Sequence, residues 1–261
     1  MKGWKTLLLT LLSISLCTGS ALRAQSGADS TAEMRARYGA HGGVNILMHD
    51  AEFSKFPGTQ SCCGTYSSGE GTGFSFGFLY ERPVLENMLA GVRLDYEHAP
   101  ARFVEREPTT FIINGKATPG AFEHLLEASY GTLVAQPIAR YRVLRDVLGR
   151  YDLLVNGGVG LGLRLNSEYY QRETIVEPEG YGVYVENGTP VRNEYSGSIP
   201  DMAGFSADLR LGISLDVPVN TTRTVLLSPE LSYVLSLSPV VRDISWNASS
   251  LRFGLVVMYR E

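Results

Sequence analysis

The chain has 261 residues, 44% hydrophobic and 19% charged, with 23 basic and 27 acidic residues and a formal net charge of −4. Such a composition can bury a core, which excludes a disordered polar chain. The acidic balance excludes the basic footprint that nucleic-acid binding requires, so no nucleic acid is expected among its partners.

The first element in the chain is an export signal. Lys2 and Lys5 precede an apolar run from Thr6 to Leu16, and Gly19-Ser-Ala21 and Ala24-Gln25 offer small-residue cleavage sites. This pattern predicts a secretory signal peptide over residues 1–24, too short for a membrane helix. Cys17 leaves with it, and Leu16 stands where lipoprotein processing needs a small residue. Residues 25–37 read as a short periplasmic segment and 38–261 as one β domain. Past the signal, no stretch approaches the ~18 apolar residues of a transmembrane helix. The route left across a membrane is a closed β-barrel.

The apolar period that follows is two, not 3.6. Val44, Ile46 and Met48 alternate with Gly43, Asn45 and His49. Phe74, Phe76, Phe78 and Tyr80 alternate with Gly73, Ser75, Gly77 and Glu81. Val92, Leu94 and Tyr96 alternate with Gly91, Arg93, Asp95 and Glu97. From Leu126 to Tyr141 the pattern loosens: Ala128, Tyr130, Thr132 and Val134 oppose Glu127, Ser129 and Gly131, and Pro137 is expected to make a bulge or end the strand. Tyr151–Asn166, Phe205–Val217, Val225–Ser236 and Leu251–Arg260 restore the alternation. About eight strands result, several as long as the 9–11 residues a tilted strand needs to cross a bilayer. Arg82–Asn87, Arg145–Arg150 and Pro218–Arg223 read as short turns. His49–Gly71, His98–Leu125, Ser167–Ala203 and Ser238–Asn247 read as long loops, with Asn114-Gly115 turning a hairpin inside the second. Short periplasmic turns and long external loops on opposite rims are the pattern of outer-membrane barrels.

Alternation alone does not say which face meets water. A secreted lipocalin-like barrel, binding a small apolar ligand, would turn the apolar face inward. Three features favour inversion. Glycines recur on the polar face (Gly43, Gly73, Gly77, Gly91, Gly131, Gly158, Gly160, Gly162, Gly212, Gly254), where larger lumen side chains would need their space. Both signs of charge share that face. Glu81, Arg93, Asp95, Arg164, Asp208, Arg210, Glu230 and Arg252 are predicted to form a lumen charge network, with Glu97 and Glu127 on the same side. Aromatics gather near strand ends at Tyr80, Tyr96, Tyr141, Tyr151, Phe205, Trp246 and Tyr259, as in interfacial girdles. Leu161 and Leu211 are assigned to lipid, Gly160 and Arg210 to the lumen. The predicted fold is a transmembrane antiparallel up-and-down β-barrel of about eight strands.

The segment Tyr38-Gly-Ala-His-Gly-Gly-Val-Asn-Ile-Leu-Met-His49, with Phe53, Pro57-Gly58, Cys62-Cys63 and Gly71-Thr-Gly-Phe-Ser-Phe-Gly77, resembles the barrel domain of the OmpA-like and PorT-like superfamily in its Bacteroidota form. The resemblance extends from about residue 38 to the last strand. It implies an integral outer-membrane protein surrounded by membrane lipid and lipopolysaccharide, inserted by the outer-membrane assembly machinery. No peptidoglycan-binding domain follows the barrel in this sequence, and Tyr259, not the final residue, is the nearest aromatic to its end.

Chemistry is sparse. Cys62-Cys63 could close a vicinal disulfide in an exported chain. His49-Asp50 could open a catalytic or metal cluster with Glu52, although polar residues at a strand end account for them equally; Cys62-Cys63 have only His49 nearby, too few ligands for a metal site. Gly157-Gly-Val-Gly-Leu-Gly162 lies within a strand, not at the strand-to-helix turn of a nucleotide loop. A barrel-embedded lipid-modifying hydrolase would need a serine–histidine–acid set, and no such set can be assembled from spacing. No catalytic residue, cofactor or metal is assigned. The acidic, tyrosine-rich stretch Ser167–Ala203 is the place where an extracellular ligand would bind.

Overall fold

A computed structural model describes residues 35–57, 64–178, 180, 182–184 and 186–261. The export signal and the Cys62-Cys63 pair lie outside the described residues. The strands are β1 (Arg37–Phe53), β2 (Tyr66–Leu85), β3 (Met88–Ile113), β4 (Lys116–Val147), β5 (Tyr151–Glu177), β6 (Val191–Gly197), β7 (Phe205–Pro218), β8 (Val225–Ser236) and β9 (Ser245–Arg260). Eight of them close a ring in the order β1-β2-β3-β4-β5-β7-β8-β9, all antiparallel, with β9 returning to β1. The short β6 stands apart from the ring and pairs with β5 beyond the point where β7 leaves it.

The alternation drives this closure with the apolar side out. Phe78 is 71% exposed, Leu211 55% and Leu161 46%, whereas Arg93, Arg140 and Arg210 are buried. Water would leave that apolar belt unsatisfied, so the ring is built for lipid, and a lipocalin-like interior is overturned. Tyr38, Tyr80, Tyr141 and Tyr259 mark the belt's edge at the turn end, with the rings of Tyr38 and Tyr259 5.5 Å apart across the closing seam. From Tyr38 to Met48 the strand rises about 34 Å; at the roughly 40° tilt of such barrels this spans about 26 Å, the height of a membrane-barrel belt.

Opposite the turns, one side of the ring keeps rising. β2 leaves β3 at the Gly69–Phe103 pair, yet β3 continues to Ile113 and returns as β4 in unbroken register. Asn114 (φ 53°) and Gly115 (φ 76°) make the two-residue turn, both left-handed as a type I′ hairpin demands. Phe103–Ile113 adds about 33 Å along the strand. With β5 to Glu177 and β6 on its edge, this makes a four-stranded wall. The second expected long loop is therefore sheet, and much of the third is too.

Three sequence expectations need correction. Pro137 neither ends nor bulges β4: it pairs with Val92, and the register holds from Ala135–Leu161 to Ile138–Gly158. The slip falls instead between Gly131 and Thr132, where β5 carries Leu165 as an extra residue. Glu127 lies on the outer face, exposed beside Arg102 (3.5 Å), and Gly131 shares that face, being opposite in parity to the buried Tyr130 and Thr132. The inner face of β4 escaped notice because it carries Ile138 in a small apolar cluster with Leu79, Leu226, Val256 and Met258. Trp246 belongs to no girdle; it is 0% exposed inside the barrel.

Candidate functional site

The lumen is filled in tiers. Nearest the turns, Arg140 from β4 donates to Glu81 of β2 (2.9 Å), to Asp216 of β7 (2.8 Å) and to Ser214 (2.9 Å), while Arg37 of β1 reaches the other oxygen of Asp216 (2.8 Å). In the middle, Arg93 of β3 grips Glu230 of β8 with both Nη atoms (3.0 and 2.8 Å). His41 meets Asp95 beside them. Higher up, Arg210 holds Asp208 (2.9 Å) and Glu97 (2.7 Å), and Arg252 holds Glu97 from β9 (2.7 Å). Buried charges in such contacts are tolerable only when paired and hydrogen-bonded. The glycines give them room. A Cβ on Gly160 would strike the Asp208 carboxylate, and one on Gly77 would lie 2.6 Å from the Asp95 carboxylate. Cavities of about 20 and 60 Å³ remain among these side chains, room for water and nothing larger.

Above the charges sits an apolar plug. Phe53, Phe56, Tyr66, Phe103, Tyr130 and Trp246 pack with Leu47, Leu126, Val240 and Val241 across the tall end. Trp246 contacts Phe103 edge-on (5.4 Å) and Phe53 face-on (5.8 Å). Its Nε1 donates to His49 Nδ1 (3.1 Å), so His49 Nε2 is the donor to the Pro100 carbonyl (3.0 Å).

Of the predicted network residues, Glu81, Arg93, Asp95, Asp208, Arg210, Glu230 and Arg252 stand in these tiers. Arg164 does not. It lies at the plug, donating to the carbonyls of Ala203 (2.8 Å), Pro239 (3.0 Å) and Val240 (3.2 Å), with its guanidinium 5.6 Å from the Tyr130 ring centre. It ties loops, not carboxylates, because the barrel wall ends there and loop backbone faces it. Arg37, Arg140 and Asp216 were missed. Asp216 carried a signal, since it alternates with Leu215 and Val217; Arg37 precedes the first clear alternation.

The wall has its own packed inner face. Glu173 of β5 is buried and accepts from Tyr184 Oη (2.7 Å), Arg192 Nη2 (2.7 Å) and Asn193 Nδ2 (2.8 Å). Burial alone would push this carboxyl up, but the bonds from Arg192, Tyr184 and Asn193 outweigh it and hold the group below its ordinary value. Burial and the neighbouring Glu173 raise the Tyr184 phenol, which stays a donor. Arg192 lies 4.3 Å over the Tyr184 ring, and Phe122 stacks beyond it. The acidic, tyrosine-rich segment is thus a folded surface.

Among the described residues no serine–histidine–acid set is brought together. Ser129 donates to Glu168 (3.3 Å), while His98 stacks on Phe74 (5.2 Å) one strand away. Among the described residues no histidine is hydrogen-bonded to a serine. His49 points inward while Asp50 and Glu52 are exposed, so these three do not converge.

A closed ring that is apolar outside and charged within is the architecture of an outer-membrane-type β-barrel. No protein-family model matches the chain, and no curated protein does. Similar solved structures include the attachment invasion locus protein Ail of Yersinia pestis, in complex with the heparin analogue sucrose octasulfate, at 12% identity over 87% of this chain and 100% of that one (TM-score 0.33). The outer membrane protein OprG of Pseudomonas aeruginosa is 12% identical over 88% and 97% (0.38). The outer membrane protease OmpT of Escherichia coli is 9% identical over 92% and 99% (0.36). No score reaches 0.5, and neither activity nor ligand passes from these proteins to this chain.

Proposed function

We propose that this chain is a non-enzymatic outer-membrane barrel of the OmpA-like and PorT-like group, closed to solutes, that carries a binding surface on a raised external wall. The carrying observation is the division of labour along the axis: ion pairs and an aromatic plug occupy the lumen, while β3 to β6 continue as ordered sheet well past the lipid belt. An eight-stranded ring leaves an interior that side chains can fill, which supports a structural or surface-binding role over transport. On this reading residues 1–24 direct export, lipid and lipopolysaccharide surround the apolar belt, and an extracellular partner meets the wall.

The test combines two measurements on the full barrel. An epitope inserted between Asn114 and Gly115 is expected to be reachable by antibody on intact cells, with the protein in outer-membrane fractions and shifting on gels upon boiling. Purified protein in planar bilayers is expected to show no steady porin-sized current. A tag reached only after the outer membrane is opened would reverse the orientation, and a stable large current would replace the plug with a pore.

A further inference from the structure

The turn end of the lumen carries one cation too many. Across the seam that closes the ring, Arg37 of β1 stands directly opposite Arg260 of β9, both on the inward face. Like charges in that position repel. Arg37 is held by Asp216 (2.8 Å) and Glu81 (3.4 Å), and Arg142 by Asp152 (3.2 Å). Arg260 has neither: its Nε is buried without a hydrogen-bond partner, and among the described residues no carboxylate lies within ion-pair distance of its guanidinium. The cations bearing on it are Arg37 and Arg142, the acids Asp216 and Asp152, both already engaged. Glu261 follows, but its amide is bound to the Ala36 carbonyl and its side chain is exposed.

We infer that Arg260, with Arg37 and Arg142 beside it, forms an oxyanion site at the turn-end mouth of the barrel that takes a phosphate group from the aqueous side. A guanidinium offers a planar fork of donors that fits phosphate oxygens two at a time. A bound phosphate would supply the negative charge that this tier lacks and quench the repulsion across the seam. The mouth is open to solvent, since Arg260 is only half-buried, and it lies inside the strand ring, away from the lipid face where Tyr259 points. The inference stands apart from the proposed role of the wall.

The probe is inorganic phosphate, titrated into the full barrel folded in phosphatidylcholine nanodiscs and followed by calorimetry. Saturable binding is expected, at least ten-fold weaker in Arg260→Gln. It should be unchanged in Arg223→Gln, which alters an exposed arginine on the same rim, paired with Asp146 (3.2 Å). Melting separates a ligand site from a structural one. In phosphate-free buffer Arg260→Gln should melt no lower than the parent, and phosphate should raise the melting temperature of the parent alone. No saturable binding, equal binding by Arg260→Gln, or a lower melting point of that variant without phosphate would overturn the site.

Discussion

The Arg93–Glu230 pair offers the sharpest test of how the lumen is held. Both groups are buried, they come from opposite sides of the ring, and two parallel hydrogen bonds join them. Arg93→Met leaves the Glu230 carboxylate buried without its hydrogen-bonded partner, and Glu230→Gln does the same to the guanidinium. Each single change is expected to cost about 3–5 kcal/mol, the range for breaking a buried pair. The double variant Arg93→Met/Glu230→Gln leaves no orphan charge. It is expected to cost under about 2 kcal/mol, because replacing both members of a buried pair is often near neutral. The coupling should therefore reach at least about 4 kcal/mol, above the range of about 0.5–3 kcal/mol usual for contacting residues. The assay is urea unfolding of the barrel in detergent micelles, read by the gel shift of folded against boiled protein. A double variant as costly as the sum of the singles would refute the reasoning, since it would mean that each side chain acts through its own packing.

Other outcomes follow from the same geometry. Leu211→Arg places a cation on the lipid belt and is expected to cost about 2–4 kcal/mol. Arg210→Leu should cost as much or more, about 3–5 kcal/mol, because Asp208 loses its partner and Glu97 keeps only Arg252; membrane-insertion yields that spare Arg210→Leu would contradict the network. Trp246→Ala removes the centre of the plug and the donor to His49, and a loss of about 3–5 kcal/mol is expected, with raised conductance in planar bilayers. The Glu173 carboxyl sits below its ordinary value in the folded wall, so its stabilising effect is complete at neutral pH and lost as pH falls through and below the usual carboxylate range. Hydrogen exchange of residues 186–197, corrected for intrinsic rate, should rise on that acid side in the parent; Glu173→Gln should exchange fast at both pH values.

The eight ring strands were legible because lipid enforces the alternation with little exception: Leu209, Leu211 and Ile213 could not face inward without turning Arg210 to the acyl chains. The Asn114-Gly115 turn was legible for a similar reason, since a type I′ hairpin needs two left-handed residues and that dipeptide supplies them cheaply. Alternation loses its meaning where both faces are mixed. In β4, Val134 and Ile138 sit inside among polar neighbours, so the parity of Gln136, Arg140 and Arg142 was hidden, and Pro137 was given a role that the register denies. Trp246 was misplaced because an aromatic near a strand end fits a girdle or a plug equally well, and only tertiary packing decides. The wall gives no strand signal because polar residues on both faces of Glu105–Thr110 and Glu168–Thr174 carry no apolar period; their order comes from partners such as Glu173 and Arg192, distant in sequence.

The pattern of partners explains why a closed barrel keeps so many charges. Arg37 joins β1 to β7, Arg140 joins β4 to β2 and β7, Arg93 joins β3 to β8, and Arg210 and Arg252 bring β7 and β9 to Glu97 on β3. Each of these ties crosses the lumen instead of running along one hydrogen-bonded strand pair. Lipid tails give the outer surface little preference among registers, because one apolar side chain meets them as well as another. A slip of one residue between strands would turn a whole row of these charges outward. A slip of two would keep the parity but part every cross-lumen pair, leaving buried charges single at several kcal/mol apiece. The network therefore penalises the misregistered rings that the belt would tolerate, and the glycines beneath Asp208 and Asp95 let the bulky ties fit a ring of only eight strands. A lumen committed to that task has little space left for solutes, which is why the wall, and not the lumen, is the surface proposed for binding.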